Sequence, residues 1–365
     1  MNNKLISSIW KFEKRNLKTD YLEHNIFRWF GKLPPQLVSN LINLYSSKND
    51  LILANFAGSG TIPLECLKLE RRNIATDVND LAVLINKIKT NPVSINVNKF
   101  FIYLDNFTNE NTQNNLISDY EKKWFGSKFN DVIKLKEAIK SYDCNQKEKN
   151  LLLVTLMSII KNVSTVDSRC INHIVFDKNK KQGDVINLFK ENLIKVNNIQ
   201  TKFTKSQDQN LKSKISIEKK DARNLDTLDD NSIDLIISHP PYLGNVDYTN
   251  IYQLENYILG SIYGDIRSKD LSTTSLNKYL TGMYTVIDEM IRVCKKNKYM
   301  CIIIGDNRKN GNIIPTFSYF ISYFNNKNIP LKDIFIWELN QKAGMNIKRH
   351  GNHIDHNYIL VYKKN

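Results

Sequence analysis

Short apolar runs alternate along this chain with longer stretches in which apolar residues recur every three or four positions, the pattern of strands and helices taking turns. Leu37, Val38, Leu41, Ile42 and Leu44 sit at helical spacing behind Pro34-Pro35, which set a helix start. Leu51 to Ala54 reads as a strand, Pro63 to Glu70 as a helix, Ile74 to Thr76 as a second strand and Leu81 to Lys89 as a second helix capped by Asp80. This βαβα unit predicts an α/β fold. The alternation stops over residues 91–214, where helical spacing at Val132, Leu135, Ala138 and Ile139, and again from Glu148 to Val163, predicts an inserted helical region. It resumes at residue 215 with strands at Ile215 to Glu218, Asp234 to Ser238 and Tyr299 to Ile304, helices at Asn277 to Val293 and Ile313 to Phe324, and a closing strand pair at Ile334 to Leu339 and Tyr358 to Tyr362. Residues 1–20, polar and mixed in charge, predict an extended or partly helical arm; 21–90 and 215–365 form the core domain.

Candidate chemistry gathers where predicted strands end. Asn55-Phe56-Ala57-Gly58-Ser59-Gly60-Thr61 joins a strand to a helix through glycines, which let backbone approach a ligand closely while the helix N-terminus adds donors. Asp77 ends the next strand at about the distance where an α/β fold places a ribose-binding carboxylate. Its position at the strand end favours it over Asp80 as a ligand. Asp234 to Ser238 delivers the chain to His239-Pro240-Pro241-Tyr242, where two prolines stop ladder pairing, carbonyls are left to accept hydrogen bonds and an aromatic ring offers a stacking face. Taken alone, that tetrapeptide is also an ordinary proline turn after a strand.

Together, Phe56-Ala57-Gly58-Ser59-Gly60 and His239-Pro240-Pro241-Tyr242 resemble the F-x-G-x-G turn and the [DNS]-P-P-[YF] tetrapeptide of the S-adenosylmethionine-dependent DNA amino-methyltransferases. His24 to Pro35 looks like the segment that precedes the glycine turn in that family. The resemblance implies a Rossmann-like class I methyltransferase fold, with a central, mostly parallel twisted sheet and a terminal antiparallel hairpin. It implies S-adenosylmethionine as cofactor, held by Lys32, Pro34, Phe56, Ala57, Gly58, Ser59, Gly60, Asp77, Val78, Asp221 and Ala222. The partner it implies is double-stranded DNA with a target base flipped out, stacked on Tyr242 and hydrogen-bonded to His239 and the Pro240 carbonyl beside Pro241. His239 departs from the usual Asp, Asn or Ser. A neutral imidazole has one acceptor nitrogen, so turnover is expected to fall as pH drops through its pKa, about 6.5 if unperturbed. Ser238-His239 and Gly244 to Tyr248 look closer to the relatives with serine, which favours N4 of cytosine over N6 of adenine, in a restriction-modification or related defence system with a companion endonuclease. Two other readings share this pattern: a tRNA guanine-N2 methyltransferase, against which no RNA-binding module precedes residue 24, and a catalytically inactive nucleic-acid-binding protein disabled at His239.

Charge supports a polyanionic partner: 52 Lys and Arg against 37 Asp and Glu leave +15, and eleven lysines against four acids crowd residues 178–220. A lysine-rich, AT-biased composition and a solvated loop would look the same. Cys66, Cys144, Cys170, Cys294 and Cys301 are odd in number and form no C-x-x-C pair, so neither a disulfide framework nor a zinc site is indicated and a cytoplasmic location fits. None of the eight prolines precedes a cysteine, which removes the nucleophile of carbon-5 cytosine methylation. The longest apolar run, Leu151 to Ile160, is too short to span a bilayer. Tyr248, Tyr252 and Tyr257 fall at helical spacing and read as core, and His350, His353 and His356 read as a substrate-facing loop rather than a metal site.

Overall fold

Alternate residues along the central strands face opposite sides of one sheet, and both sides are dry. The computed structural model describes residues 7–12, 22–108, 123–167, 174–177, 179–206, 214–309, 312–339 and 356–365. Eight of its strands, β1 (Ser8–Lys11), β2 (Leu51–Ala54), β3 (Arg72–Asp77), β4 (Ile215–Lys219), β5 (Ile233–Ser238), β6 (Cys294–Ile304), β9 (Leu331–Glu338) and β10 (His356–Lys363), form a sheet in the order β1-β9-β10-β6-β5-β2-β3-β4. Strands β4, β3, β2, β5 and β6 run parallel, whereas β10 is antiparallel to both β6 and β9. Leu53, Ile236, Ile302 and Leu360 pack on one face against α11 (Leu276–Val293) and α12 (Thr316–Asn326). Ile52, Leu235, Ile237 and Ile303 pack on the other against α1 (Pro35–Tyr45) and α2 (Thr61–Lys68). Burial on both faces is what the near-continuous apolar strands require. This is the Rossmann-like sheet with an antiparallel terminal pair expected above.

Helix α3 (Asp80–Thr90) lies under a third core that joins distant parts of the chain. Phe27, Phe30, Leu81 and Ile85 meet Phe100, Leu135, Leu156 and Phe189 from the inserted helices α4 (Val97–Asn106), α5 (Phe129–Ser141), α6 (Gln146–Val163) and α7 (Val185–Ser206). Val246, Ile251 and Tyr252, which follow the tetrapeptide, enter the same core beside the short helices α8 (Tyr248–Ile251), α9 (Gln253–Leu259) and α10 (Tyr263–Lys269). The insertion is thus packed into the protein, not appended to it.

Several local expectations change. The cap of α3 is Asn79, whose side chain accepts from the Leu81 N–H at 3.0 Å, and Asp80 is the first helical residue, paired with Lys219. Asn and Asp both cap well, so neighbouring sequence could not choose between them. Ile313 belongs to a small hairpin of β7 (Asn307–Lys309) and β8 (Asn312–Ile314), and the helix begins only beyond Pro315. Of the three tyrosines only Tyr252 is buried core, Tyr257 being 37% exposed. The first arm contributes β1, which pairs parallel to β9. Four of the eleven lysines in the lysine-rich stretch lie on α7, where Lys190 pairs with Asp105 while Lys195, Lys202 and Lys205 face solvent. Among the described residues no helix is long and apolar enough to cross a membrane. Cys170, His350 and His353 lie outside the described residues, whereas His356 is the first residue of β10 and not part of a loop.

Leu156, fully buried on α6, tests whether the insertion and the sheet-bearing part of the chain fold as one unit. Leu156→Ala should destabilise the whole molecule by about 2–5 kcal/mol in a single denaturant transition. A separate early transition that leaves the sheet's signal intact would show two independent cores.

Candidate active site

In an open α/β sheet, ligands lie beyond the carboxyl ends of the strands where the strand order reverses. Here the chain steps outward from β2 to β3 and β4, then returns to pair β5 on the other side of β2, so the reversal falls between β2 and β5. A cavity opens at that point. Its walls bring together Phe56, Ala57, Gly58 and Ser59 from the turn after β2, Asp77 and Val78 from the end of β3, Asp221 and Ala222 from the turn after β4, and His239 and Pro241 after β5. Lys32, Pro34, Gly60, Pro240 and Tyr242 are not among its walls. Lys32 turns instead to the His24 carbonyl and the Asn25 side chain.

The glycine turn is left-handed at Gly58 (φ 46°) and Gly60 (φ 79°), a backbone that other residues adopt only with strain. A Cβ on Gly60 would come within 3.0 Å of Asn86 Oδ1. Helix α3 braces this turn from beneath. Asn86 Nδ2 donates to the Gly58 carbonyl at 3.0 Å, and the fully buried Lys89 donates from Nζ to the Ser59 carbonyl at 2.6 Å and the His24 carbonyl at 3.1 Å. Buried polar groups of this kind hold geometry because leaving them unmatched is expensive. Sequence reasoning missed both residues. The available signal was their spacing, since Ala82, Asn86 and Lys89 recur on the helix face that otherwise carries apolar side chains.

Asp77 accepts the Gly58 N–H on Oδ2 at 2.8 Å and the Asn79 N–H on Oδ1 at 2.9 Å, so the carboxylate locks the turn to the start of α3. Burial pushes its pKa up to about 6, opposed by the Asn79 and Gly58 N–H groups and assisted by Asp270 on the opposite wall. Asp221 lines the cavity with its carboxylate held by Arg223, Nη2 to Oδ2 at 2.6 Å. Asn55, also on the wall and 1% exposed, has no partner for either amide atom among the described residues, and the Asn79 Nδ2 is likewise unmatched there. Trp29 and Tyr248 complete the rim, their rings nearly parallel at 6.0 Å, with Tyr252 stacked on Trp29 at 4.2 Å. Sequence reasoning assigned Tyr248 to the core and did not single out Asn55, Trp29 or Asp270.

At the tetrapeptide, His239 Nε2 lies 3.0 Å from the Tyr242 hydroxyl, and the two rings meet edge to face. Burial alone pushes the imidazole pKa down to about 4, so the ring is neutral across the ordinary range. Tyr242 itself is seated on Gly305, where a Cβ would meet its ring carbons at 3.0 and 3.1 Å. Ser238, immediately before, is fully buried with its hydroxyl unmatched. Among the described residues no cluster of side chains is suited to hold a metal ion.

The sequence has known relatives. Residues 1–88 and 233–365 match the DNA methylase family. The Type II methyltransferase M.BsoBI of Geobacillus stearothermophilus is 26% identical over 288 residues, 70% of this chain and 57% of its own length. The Type II methyltransferase M.MjaII of Methanocaldococcus jannaschii is 28% identical over 126 residues, 31% of this chain and 24% of its own length. The chain therefore spans less than two thirds of either relative. A putative DNA modification methylase of Thermus thermophilus, solved as a complex with S-adenosyl-L-methionine, is 19% identical at a TM-score of 0.27, with 40% of this chain and 53% of that one covered. The match extends over more than half of the sequence and includes most of the cavity's lining, though not Asp221 and Ala222, and the chain belongs to the DNA methylase family.

Proposed function

We propose that this protein transfers a methyl group from S-adenosylmethionine to an exocyclic amino group of a base flipped out of double-stranded DNA, with N4 of cytosine favoured over N6 of adenine. The observation that carries this reading is one cavity shared by Phe56 to Ser59 of the glycine turn, Asp77, His239 and Pro241. Its residues fit the cofactor. The two carboxylate oxygens of Asp77 keep lone pairs for ribose hydroxyls, and the unmatched Asn55 amide is a ready partner for a polar group. When bound, S-adenosylmethionine supplies a methyl group on a positively charged sulfur.

The chain's own work is then positioning. Tyr242 orients the imidazole. With Nε2–H donating to the Tyr242 oxygen, Nδ1 of His239 is left to accept a hydrogen from the target amine, and the Pro240 carbonyl can accept the other. Both acceptors hold the amine with its lone pair toward the cavity. Tyr242 stands beside the cavity rather than in its wall, which suits a base stacked next to the cofactor site. Such stacking is worth about 1–3 kcal/mol against the few kcal/mol that flipping costs. Exposed Lys195, Lys202 and Lys205 on α7 are available to DNA phosphates, and the reading includes a restriction-modification role beside a companion nuclease.

Incubation with labelled S-adenosylmethionine and duplex DNA, followed by digestion and mass spectrometry, should yield N4-methylcytosine. N6-methyladenine alone would overturn the choice of base, and label in RNA but not in DNA would overturn the substrate. His239→Ala should lower kcat by about 10- to 100-fold. Because burial keeps His239 neutral down to about pH 4, turnover should show no step near 6.5 that belongs to this residue.

Asp77 imposes a different pH dependence. Its carboxyl is protonated below about pH 6, and a proton there removes acceptor capacity from the ribose site, so cofactor affinity should be level above pH 7 and fall as pH drops through 6. Calorimetry should find affinity about tenfold or more weaker in Asp77→Asn, with that acid step gone. A folded Asp77→Asn protein that kept both affinity and step would remove Asp77 from the site.

A further inference from the structure

A second pocket, of about 390 Å³, lies on the far side of Thr249 and Ile266, the two residues it shares with the wall of the main cavity. It sits among helices α8, α9 and α10 and is closed on one side by Trp124 of the insertion. Its lining is unusual in two ways. Three aromatic residues, Trp124, Tyr257 and Tyr263, contribute to it, with Trp124 and Tyr257 edge to face at 5.2 Å and both tyrosines more than a third exposed. Two carboxamides contribute as well. Asn256 is 4% exposed and spends its oxygen on the Leu81 N–H, leaving Nδ2 unmatched, and the half-buried Gln253 side chain has no partner among the described residues. Ile262, 67% exposed, stands in the loop between α9 and α10.

Flat rings beside unsatisfied amides suit one kind of ligand, a planar heterocycle whose edge carries donors and acceptors. Aromatic side chains stack on any base, and a carboxamide can make two hydrogen bonds to one base edge. We propose that this pocket receives a nucleobase of the bound DNA other than the base that is methylated. The idea rests on the methyltransferase reading and adds a second point of contact with the strand. Its place explains why the chain joins Trp124 of the insertion to α9 and α10: the insertion closes a base site that the core domain only half builds.

Gln253 and Tyr257 are partly exposed, touch nothing in the main cavity, and are suited to substitution. Binding of single-stranded and duplex oligodeoxynucleotides should weaken by about 3- to 10-fold in Gln253→Ala and in Tyr257→Ala, with S-adenosylmethionine affinity and thermal midpoint unchanged. Oligonucleotides should quench tryptophan fluorescence, and the part of the quench due to Trp124 should be lost in Trp124→Phe while that of Trp29 in the main cavity remains. DNA binding that both variants match would overturn the site while leaving the methyltransferase reading intact. Failure of the wild-type protein to bind any DNA would overturn both. Deoxyadenosine or deoxycytidine that quenches Trp124 without being displaced by DNA would also overturn the proposal, because the pocket would then serve a free nucleoside.

Discussion

The parallel pairing of β5 with β2 is the constraint on which the site depends. Ile52 opposite Leu235 and Leu53 opposite Ile236 set the register, and three residues later the two strands release the glycine turn and the tetrapeptide side by side. A slip of one residue would turn every side chain of β5 to the other face and carry His239 away from the cavity. Asp234 resists such a slip. It is nearly buried at the start of β5, accepts the Leu51 N–H at 2.9 Å and takes the Lys295 ammonium at 2.8 Å, so one carboxylate ties the beginnings of β2, β5 and β6.

The rim of the cavity is held from farther off. Phe30 N–H donates to the Tyr252 hydroxyl at 2.9 Å, Trp29 stacks on Tyr252, and Lys161 of α6 lies over the Tyr252 ring while pairing with the buried Glu255. Removing the lysine would leave Glu255 buried without its charge partner, a change usually costlier than the pair's net worth. The insertion thereby bears on Trp29, and through it on Gly58, although no inserted residue lines the main cavity.

Most of the sheet was legible because parallel strands buried on both faces read as uninterrupted apolar runs, and glycine and proline marked where they end. Phe56–Ser59, Asp77, Asp221 and His239 could be found because each stands at such an end. Residues that act through the third dimension could not. Lys89 and Asn86 look like ordinary helix residues until α3 is laid under the turn, and Tyr248, Tyr252 and Tyr257, four and five residues apart, take three environments. Lys32 and Pro34 came from a family likeness alone, and in this structure the segment serves the cavity through Trp29, Gly31 and Leu33 instead. The pKa of His239 was out of reach too, because desolvation depends on neighbours that sequence does not place.

The pairing of β1 with β9 bears on how the chain comes together. Ser8 lies opposite Phe335, and Trp10 packs its ring against Phe335 at 4.6 Å, so a strand among the earliest residues waits for one more than three hundred residues later. Loop closure grows dearer only as the logarithm of length, so the cost in equilibrium stability is modest. The cost in time is another matter. Until residue 335 has been synthesised, Trp10 and the edge of β9's future partner remain uncovered, and a growing chain with open strand edges invites pairing with its neighbours. Ser8–Lys11 is only four residues long with lysine at its end, which is the form of edge least able to recruit a stranger while it waits.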